Sequence, residues 1–471
     1  MSKQSRIVII GSGVFGLSAA YHLATKGYEN ITVLDRGEYD SNQYSPLKGA
    51  DAASTDLNKL VRASYVDKVH YQNLALESLG IYNEWNQQLQ SAKDLPKGLK
   101  NDEPVFANTG YARLDNIEHD EEKKTLANFA KYGLRAFEYG VNDPEDIKRA
   151  KVTGWFKKLD PLGQRNKSDI FNGVLDSLAG VVLADKALLW VRYLTEQTGN
   201  AVFINGSEKG AVQKILYDGD KAVGVETKDG VIHEADLVVL AAGGWTPSFY
   251  PKELSPYLEC QASTYVTVQI PKDRLDLIAK YQDLPQINWR MTYESNFRED
   301  AIYAFPATRD GIFKVGANDH FWRNFNTSDS AAPLSVPQTP LDALPTRSLN
   351  TYQKFFSEWC PDLVAAGLHI ENWKICYSAV GAENEFLIDY IPGYKNVIVS
   401  SGGGFHGFKF LPVIGRFVEG LVSGKQYEYS TLFRFESKKK PIAAIRDPTH
   451  PHSLSSVEFT PATDGHYKIS W

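Results

Sequence analysis

The stretch RIVIIGSGVFGLSAAYHLATKGYENITVLDRG, residues 6–37, leaves the chain little freedom in how it starts to fold. Arg6 to Ile10 is a continuous β-branched run, the mark of a strand buried on both faces of a parallel sheet. Gly11, Gly13 and Gly16 follow at G-x-G-x-x-G spacing, Leu17 to Lys26 has helical patterning capped by Gly27, and ITVLD is a second buried strand ending in Asp35. In such a βαβ unit the first glycine makes the tight turn, the second admits a pyrophosphate to the backbone and the third lets helix pack on strand. The helix N-terminus directs its N–H groups at phosphate, and an acid about twenty residues on accepts from ribose hydroxyls. A dinucleotide site is therefore expected, with Asp35 on the ribose. The motif alone does not choose between NAD and FAD.

A chain of 471 residues exceeds what one hydrophobic core holds, so two domains are expected. The net charge of −6 and the scattered basic residues give no reason to expect a nucleic-acid partner. No apolar run reaches the roughly eighteen residues of a membrane span, and IVIIG is too short for a signal-peptide core. A soluble, cytoplasmic protein with no membrane partner is expected, and the final HYKISW carries no Ser-Lys-Leu peroxisomal signal. Cys260, Cys360 and Cys376 are too few and too scattered for a disulfide framework, and no spacing suggests a metal.

The organisation along the chain reads as α/β, mixed α+β. Residues 1–92, 176–250 and 371–425 are expected to build a discontinuous Rossmann-like nucleotide domain, with Leu237 to Ala241 as another parallel strand and a last helix beginning near Leu411. Residues 93–175 and 251–370 are expected to form a substrate domain, its alternating strands STYVTVQI and AIYAFPATRDGIFKVGA suited to an antiparallel sheet over a ligand. Residues 117–175 read as mostly helical and polar, and 426–471 as a loosely packed tail without a role.

GSGVFGLSAAYHL, ITVLDR, DLNKLVRASY, AGVVLADKAL, DLVVLAAGGWTP, GIFKVG, KICYS and GGGFHGFKFLPVIG occur in an order that resembles the sarcosine oxidase and fungal amadoriase group of FAD-dependent amine oxidases. The resemblance spans nearly the whole chain. CYS followed some thirty residues later by HGFKF is its specific part. It implies a D-amino acid oxidase-like fold, FAD as cofactor, dioxygen as electron acceptor and a monomer. Cys376 resembles the cysteine that bonds the flavin 8α-methyl carbon; the bland alternative is a small buried hydrophobe. Lys409 and Arg62 resemble the pair that holds a substrate carboxylate, which a guanidinium and an ammonium would orient as well as bind. Lys314, between apolar neighbours, resembles the lysine that activates dioxygen, against the alternative of an ion-paired strand lysine. Lys59 resembles the basic residue beside the flavin ring. Val14, Phe15, Arg36, Gly403, Phe405 and Gly407 fall at cofactor-contacting positions of the same motifs, and Lys409 adjoins the cofactor as well.

One position departs from the group. Four residues after Lys314, amadoriases carry a glutamate and sarcosine oxidases a histidine that engages substrate; this chain has Asn318, then Asp319. A neutral amide cannot offer the same charge, which counts against deglycation and against simple sarcosine demethylation. The wording of GGGFHGFKFLPVIG leans toward the pipecolate and saccharopine oxidase-like fungal members. The expected activity is oxidation of a carboxylate-bearing, secondary or N-alkyl amine to an imine, with hydrogen peroxide as the second product. Fructosyl amino acids and an N-methylated amino acid of natural-product biosynthesis are rival substrates, and an NAD-dependent dehydrogenase is the rival class.

Overall fold

The computed structural model describes residues 1–469 apart from 117–119, 166–170, 291–300, 318–320, 326–332, 339–342 and 445–446. Strand β1 (Arg6–Ile10), helix α1 (Val14–Thr25) and strand β2 (Asn30–Asp35) form the expected unit, the strands pairing in parallel from Arg6 opposite Asn30 to Ile10 opposite Leu34. Ile7 and Ile9 enter one hydrophobic core and Val8 and Ile10 another on the opposite face, which is why the run lacks alternation. The helix begins at Val14, before its apolar periodicity does, because the glycine turn feeds straight into it: Leu17 N–H bonds the Gly13 carbonyl at 2.8 Å. Gly11 has φ +104°, and a side chain at Gly16 would run into the Gly11 carbonyl.

Six strands make the nucleotide-type sheet, in the order Leu387–Tyr390, Val397–Ser401, Leu237–Leu240, β1, β2, Ala201–Asn205. All neighbours are parallel except the edge pair Leu387–Tyr390 and Val397–Ser401. The closing helix starts at Arg416 rather than near Leu411, since Gly407–Phe410 forms a tighter 3₁₀ turn first.

The second sheet has nine strands and supplies the other wall of the site. Its order is Tyr467–Lys468, His369–Gly381, Leu258–Gln269, Ile312–Ala317, Ile302–Ala304, Gln286–Arg290, Tyr111–Asp115, Asn172–Asp176, Glu138–Gly140. Helices Asp120–Lys131 and Pro144–Thr153 account for the helical reading of 117–175, but Glu138–Gly140 and Asn172–Asp176 within that segment are strands. Strand His369–Gly381, which carries Cys376, was expected in the nucleotide domain from residue 371. It pairs instead along Leu258–Gln269, with Cys376 opposite Ser263, so the chain returns to the nucleotide sheet only at Leu387.

The tail is not loosely packed. Phe433 is buried in the core that holds α1, Phe459–Pro461 pairs with Ala343–Pro345, and Tyr467–Lys468 forms the edge of the nine-stranded sheet. The polar composition of 426–471 hid this, because a few anchors suffice. The buried Tyr467 hydroxyl accepts from Leu344 N–H at 2.9 Å and donates to Thr460 O at 2.7 Å. Tyr467→Phe leaves that N–H unpaired and is expected to cost about 1–3 kcal/mol. Urea unfolding of the two proteins measures it, and equal midpoints would show that this hydroxyl adds nothing to stability.

Candidate functional site

A cavity of about 310 Å³ opens between the two sheets, lined by Val14 and Phe15 of α1, by Cys376 and Lys314 of the nine-stranded sheet, and by Lys59 and Arg62. The glycine-rich segment closes it with Gly403, Phe405, Gly407 and Lys409. Ten residues expected at a cofactor or substrate, from five separate stretches, thus meet at one cavity. The Phe15 ring packs where side chains at Gly403 and Gly407 would sit. Gly404 N–H bonds Ala379 O at 3.0 Å, lacing this segment to the Cys376 strand. Phe405 sits at φ +63°, a conformation rare outside glycine, and its ring stacks on Phe321 at 4.9 Å.

The cationic machinery rests on Asp56. Lys314, 1% exposed, reaches its carboxylate at 2.6 Å, and Lys59 reaches the same oxygen at 2.6 Å. Lys314 also donates to Asn58 O at 3.0 Å. Strand Asn58–Val61 presents Lys59 and the Asn58 carbonyl, pinned by antiparallel pairing of Lys59 with Val182, and Lys314 comes from strand Ile312–Ala317 of the other sheet. Burial pushes the Asp56 carboxyl up, but Lys314 and Lys59 outweigh it and bring it to about 2. Burial brings the Lys314 ammonium down to about 8 against the pull of Asp56. For Lys59 burial works in the same direction, yet Asp56 and then Cys376 raise its pKa overall. Lys314 is therefore both a buried lysine facing the cavity and an ion-paired one.

Arg62 and Lys409 have no carboxylate partner among the described residues. Both lie over the Tyr65 ring, the guanidinium carbon at 4.5 Å and the ammonium at 5.7 Å from its centroid. Arg62 is held by Ser64 O, and Lys409, 4% exposed, donates to His406 O at 2.9 Å. Burial and then Arg62 hold the Lys409 pKa well below that of an ordinary lysine. His406, against Tyr65 Oη at 3.3 Å, is kept neutral by burial and by Lys409.

At the other end, the Asp35 carboxylate is drawn into the glycine turn, accepting from Ser12 N–H at 2.7 Å and Gly37 N–H at 2.8 Å. Val14 N–H donates to Ser54 Oγ at 3.1 Å. Gly11, Gly13 and Gly16 form the turn outside the cavity lining, and Arg36 stacks on Trp245 at 3.9 Å while pairing with Asp51. Cys376, 5% exposed, is a free thiol on the cavity wall. These residues fit a flavin dinucleotide. The glycine turn leads into α1, whose Val14 and Phe15 line the cavity that also holds a buried thiol and two paired lysines.

Sequence reasoning missed several neighbours. Asp56 stands three residues before Lys59 in DLNK, a spacing that brings them together, but nothing local points it at Lys314. Lys374 donates to the carbonyls of Ala50, Ala52 and Thr55 at 3.0, 2.9 and 2.8 Å, tying the loop before Asp56 to the Cys376 strand. Tyr65 and His406 lie inside the motifs DLNKLVRASY and HGFKF but were given no role, and Gln286 lies in no motif. Asn318 lies outside the described residues. Among the described residues no helix is long and apolar enough to cross a membrane.

This fold sets a parallel, dinucleotide-type sheet and a mixed nine-stranded sheet on either side of one cavity. Residues 6–421 match the DAO family of FAD dependent oxidoreductases, and the chain belongs to that family. It is 26% identical over 437 residues to L-saccharopine oxidase of Schizosaccharomyces pombe, covering 89% of this chain and 90% of that protein. It is 24% identical over 420 residues to N-methyl-L-tryptophan oxidase of Salmonella typhi, covering 89% and 95%. The solved structure of fructosyl peptide oxidase from E. terrenum shares the fold at a TM-score of 0.74 and 24% identity, over 98% of this chain and 99% of that one.

Asp56→Asn tests the ion-pair centre. With a folded pKa near 2 against an ordinary 3.8, Asp56 contributes stability that is complete above about pH 4 and lost as pH falls toward 2. The substitution is expected to cost about 3–5 kcal/mol at pH 7, a difference that shrinks as pH falls from about 4 toward 2, below which the native carboxyl is also neutral. Urea unfolding across pH reads this, and a pH-independent difference would contradict it.

Proposed function

We propose that this chain oxidises a carboxylate-bearing secondary or N-alkyl amine, with FAD tethered through Cys376. The observation that carries the reading is the pair of cations Arg62 and Lys409, over one tyrosine ring and without a carboxylate of their own among the described residues, in the cavity that also holds Cys376 and Lys314. A guanidinium and a buried ammonium without a counter-ion are costly until an anion arrives. A substrate carboxylate supplies it, and raises the depressed Lys409 pKa by doing so. With the acid group gripped, the carbon next to nitrogen is fixed in place, and an error of about one ångström there would cost on the order of a hundredfold in rate. Saccharopine and N-methyltryptophan, named in the relatives, are both secondary amines bearing carboxylates.

A flavin held beside Cys376 would supply the acceptor for a hydride from that carbon and the route for two electrons to dioxygen, which would become hydrogen peroxide. The amine leaves as an imine that water hydrolyses. Lys314, ion-paired to Asp56 and opening on the cavity, is assigned the stabilisation of negative charge developing on dioxygen. Lys59 is assigned the charge beside the flavin ring, and the tether through Cys376 prevents cofactor loss. No side chain is needed to abstract a proton from carbon, in keeping with the cavity's lack of a triad-like arrangement among the described residues.

Acid precipitation should leave yellow colour in the protein pellet, and Cys376→Ser should release it to the supernatant. Colour lost from both alike would remove the tether. Lys314→Met should slow reoxidation by dioxygen at least about a hundredfold while flavin stays attached; stopped-flow mixing of reduced enzyme with oxygen measures it, and an unchanged rate would take that lysine out of the mechanism. Lys409→Met should raise KM for carboxylated amines about tenfold or more with a smaller change in kcat. Steady-state peroxide release decides it, and an unaltered KM would free Lys409 from substrate binding.

A further inference from the structure

The lysines on and behind the cavity wall differ in what their side-chain nitrogens meet. Lys314 donates to the Asp56 carboxylate at 2.6 Å and to Asn58 O at 3.0 Å. Lys374 donates to the carbonyls of Ala50, Ala52 and Thr55 and to Thr55 Oγ1 at 2.9 Å. An ammonium has three N–H donors and no lone pair, so acceptor sets of this kind suit the charged form. Lys409, 4% exposed and lining the cavity, has one hydrogen-bond partner among the described residues, His406 O at 2.9 Å, and no carboxylate. A neutral amine makes that bond as well, and keeps a lone pair.

The groups that face Lys409 from neighbouring elements do not offset a charge there. Arg62 lies over the same Tyr65 ring, a second cation in the same space. His406 is neutral, its Nδ1 3.3 Å from Tyr65 Oη. Helix Val69–Ser91 contributes Tyr71, its ring 4.9 Å from that of His406, and Tyr82, whose hydroxyl donates to Phe408 O at 3.2 Å. Glu385, the acid whose charge is felt at Tyr65 and Tyr71, is engaged by Lys68 at 2.8 Å and His70 at 3.1 Å. The rings of Tyr65 and Phe410, centred 5.7 and 5.3 Å from the Lys409 nitrogen, attract a cation, but more weakly than burial of an unpaired ammonium opposes it. Lys314, comparably buried, is brought only to about 8 because Asp56 works against burial. Lys409 has Arg62 where Lys314 has an acid, and the two effects then act together.

An amino acid in neutral water carries an ammonium, whereas loss of hydride from the carbon beside nitrogen needs the nitrogen lone pair. Some group must take the N–H proton. We infer that Lys409 stands uncharged in the unliganded protein and accepts the proton of the substrate's ammonium as the acid group binds. The substrate N–H bond breaks and its electron pair stays on nitrogen, while a new N–H bond forms at Lys409 Nζ. The substrate is left as an amine with a carboxylate, and Lys409 as an ammonium that pairs with that carboxylate beside Arg62. Charge is conserved and no oxidant takes part. Nitrogen and carboxylate are joined through a single carbon in an amino acid, so a side chain set against the carboxylate also reaches the nitrogen. This rests on the amine-oxidase reading above and assigns its base.

Pivalate and α-aminoisobutyrate are nearly the same shape, the second bearing an ammonium where the first has a methyl group. Neither offers a C–H bond next to nitrogen, so neither is oxidised. Titration calorimetry of the holoenzyme at about pH 7.5, in buffers of different ionisation heat, counts the protons exchanged with each. Pivalate is expected to take up about one proton per site from solution, and α-aminoisobutyrate, which brings its own, about none. Lys409→Arg, which stays charged, and Lys409→Met, which cannot charge, should both bind pivalate through Arg62 without that uptake. No uptake with pivalate in the wild type would show Lys409 already charged, and equal uptake with both compounds would show that the substrate keeps its proton. Either result, or uptake that persists in both variants, would overturn the assignment of Lys409 alone. A holoenzyme that binds neither compound would overturn the carboxylate site of the amine-oxidase reading, and this inference with it.

Discussion

A single buried carboxylate, that of Asp56, lets two ammonium groups stand beside an enclosed cavity. Removing a lysine from water costs several kcal/mol, and an unpaired Lys314 at 1% exposure would shed its proton rather than bear that cost. Sharing one oxygen at 2.6 Å with Lys59 and Lys314 keeps positive charge on the nine-stranded sheet without water to screen it. The loop leading to Asp56 is fixed in turn by Lys374, whose ammonium is satisfied by three backbone carbonyls two residues before Cys376. The Cys376 strand and the ion-pair centre are therefore one mechanical unit, and any group attached at the thiol lies in register with the lysines.

The opposite side of the cavity is arranged differently. Arg62 and Lys409 are stacked and hydrogen-bonded but not neutralised by any described carboxylate, and burial together with their mutual repulsion depresses the Lys409 pKa. A balanced ion pair stores nothing for a ligand. An unbalanced one leaves a favourable interaction to be completed on binding, which is how a rigid scaffold turns folding stability into affinity and orientation. The two halves differ in charge balance: the Lys314 side carries compensated charge, and the Arg62 and Lys409 side carries charge that no described carboxylate compensates.

Family membership fixes FAD dependent oxidoreduction as the kind of chemistry. On the sheet wall of the cavity, Lys314, Phe305 and Gln286 stand on adjacent strands and present an ammonium, an aromatic ring and an amide in turn.

Short-range features were legible in the sequence because their causes are short-range. The β-branched run, the three glycines, the helix and Asp35 lie within thirty residues, and turn sterics, helix periodicity and burial on both faces act over that span. Arg62, Lys314, Cys376 and Lys409 were nameable only through a resemblance of motifs, and the structure then brought them to one cavity. Asp56 beside Lys314, 258 residues away, Lys374 under the Asp56 loop and the docked tail had no signature in the chain. The sequence by itself determined a dinucleotide-binding βαβ start and the residue types available for chemistry. Tertiary structure alone decided which charges are paired and which are left open, because strand register across a nine-stranded sheet joins positions that no local spacing relates.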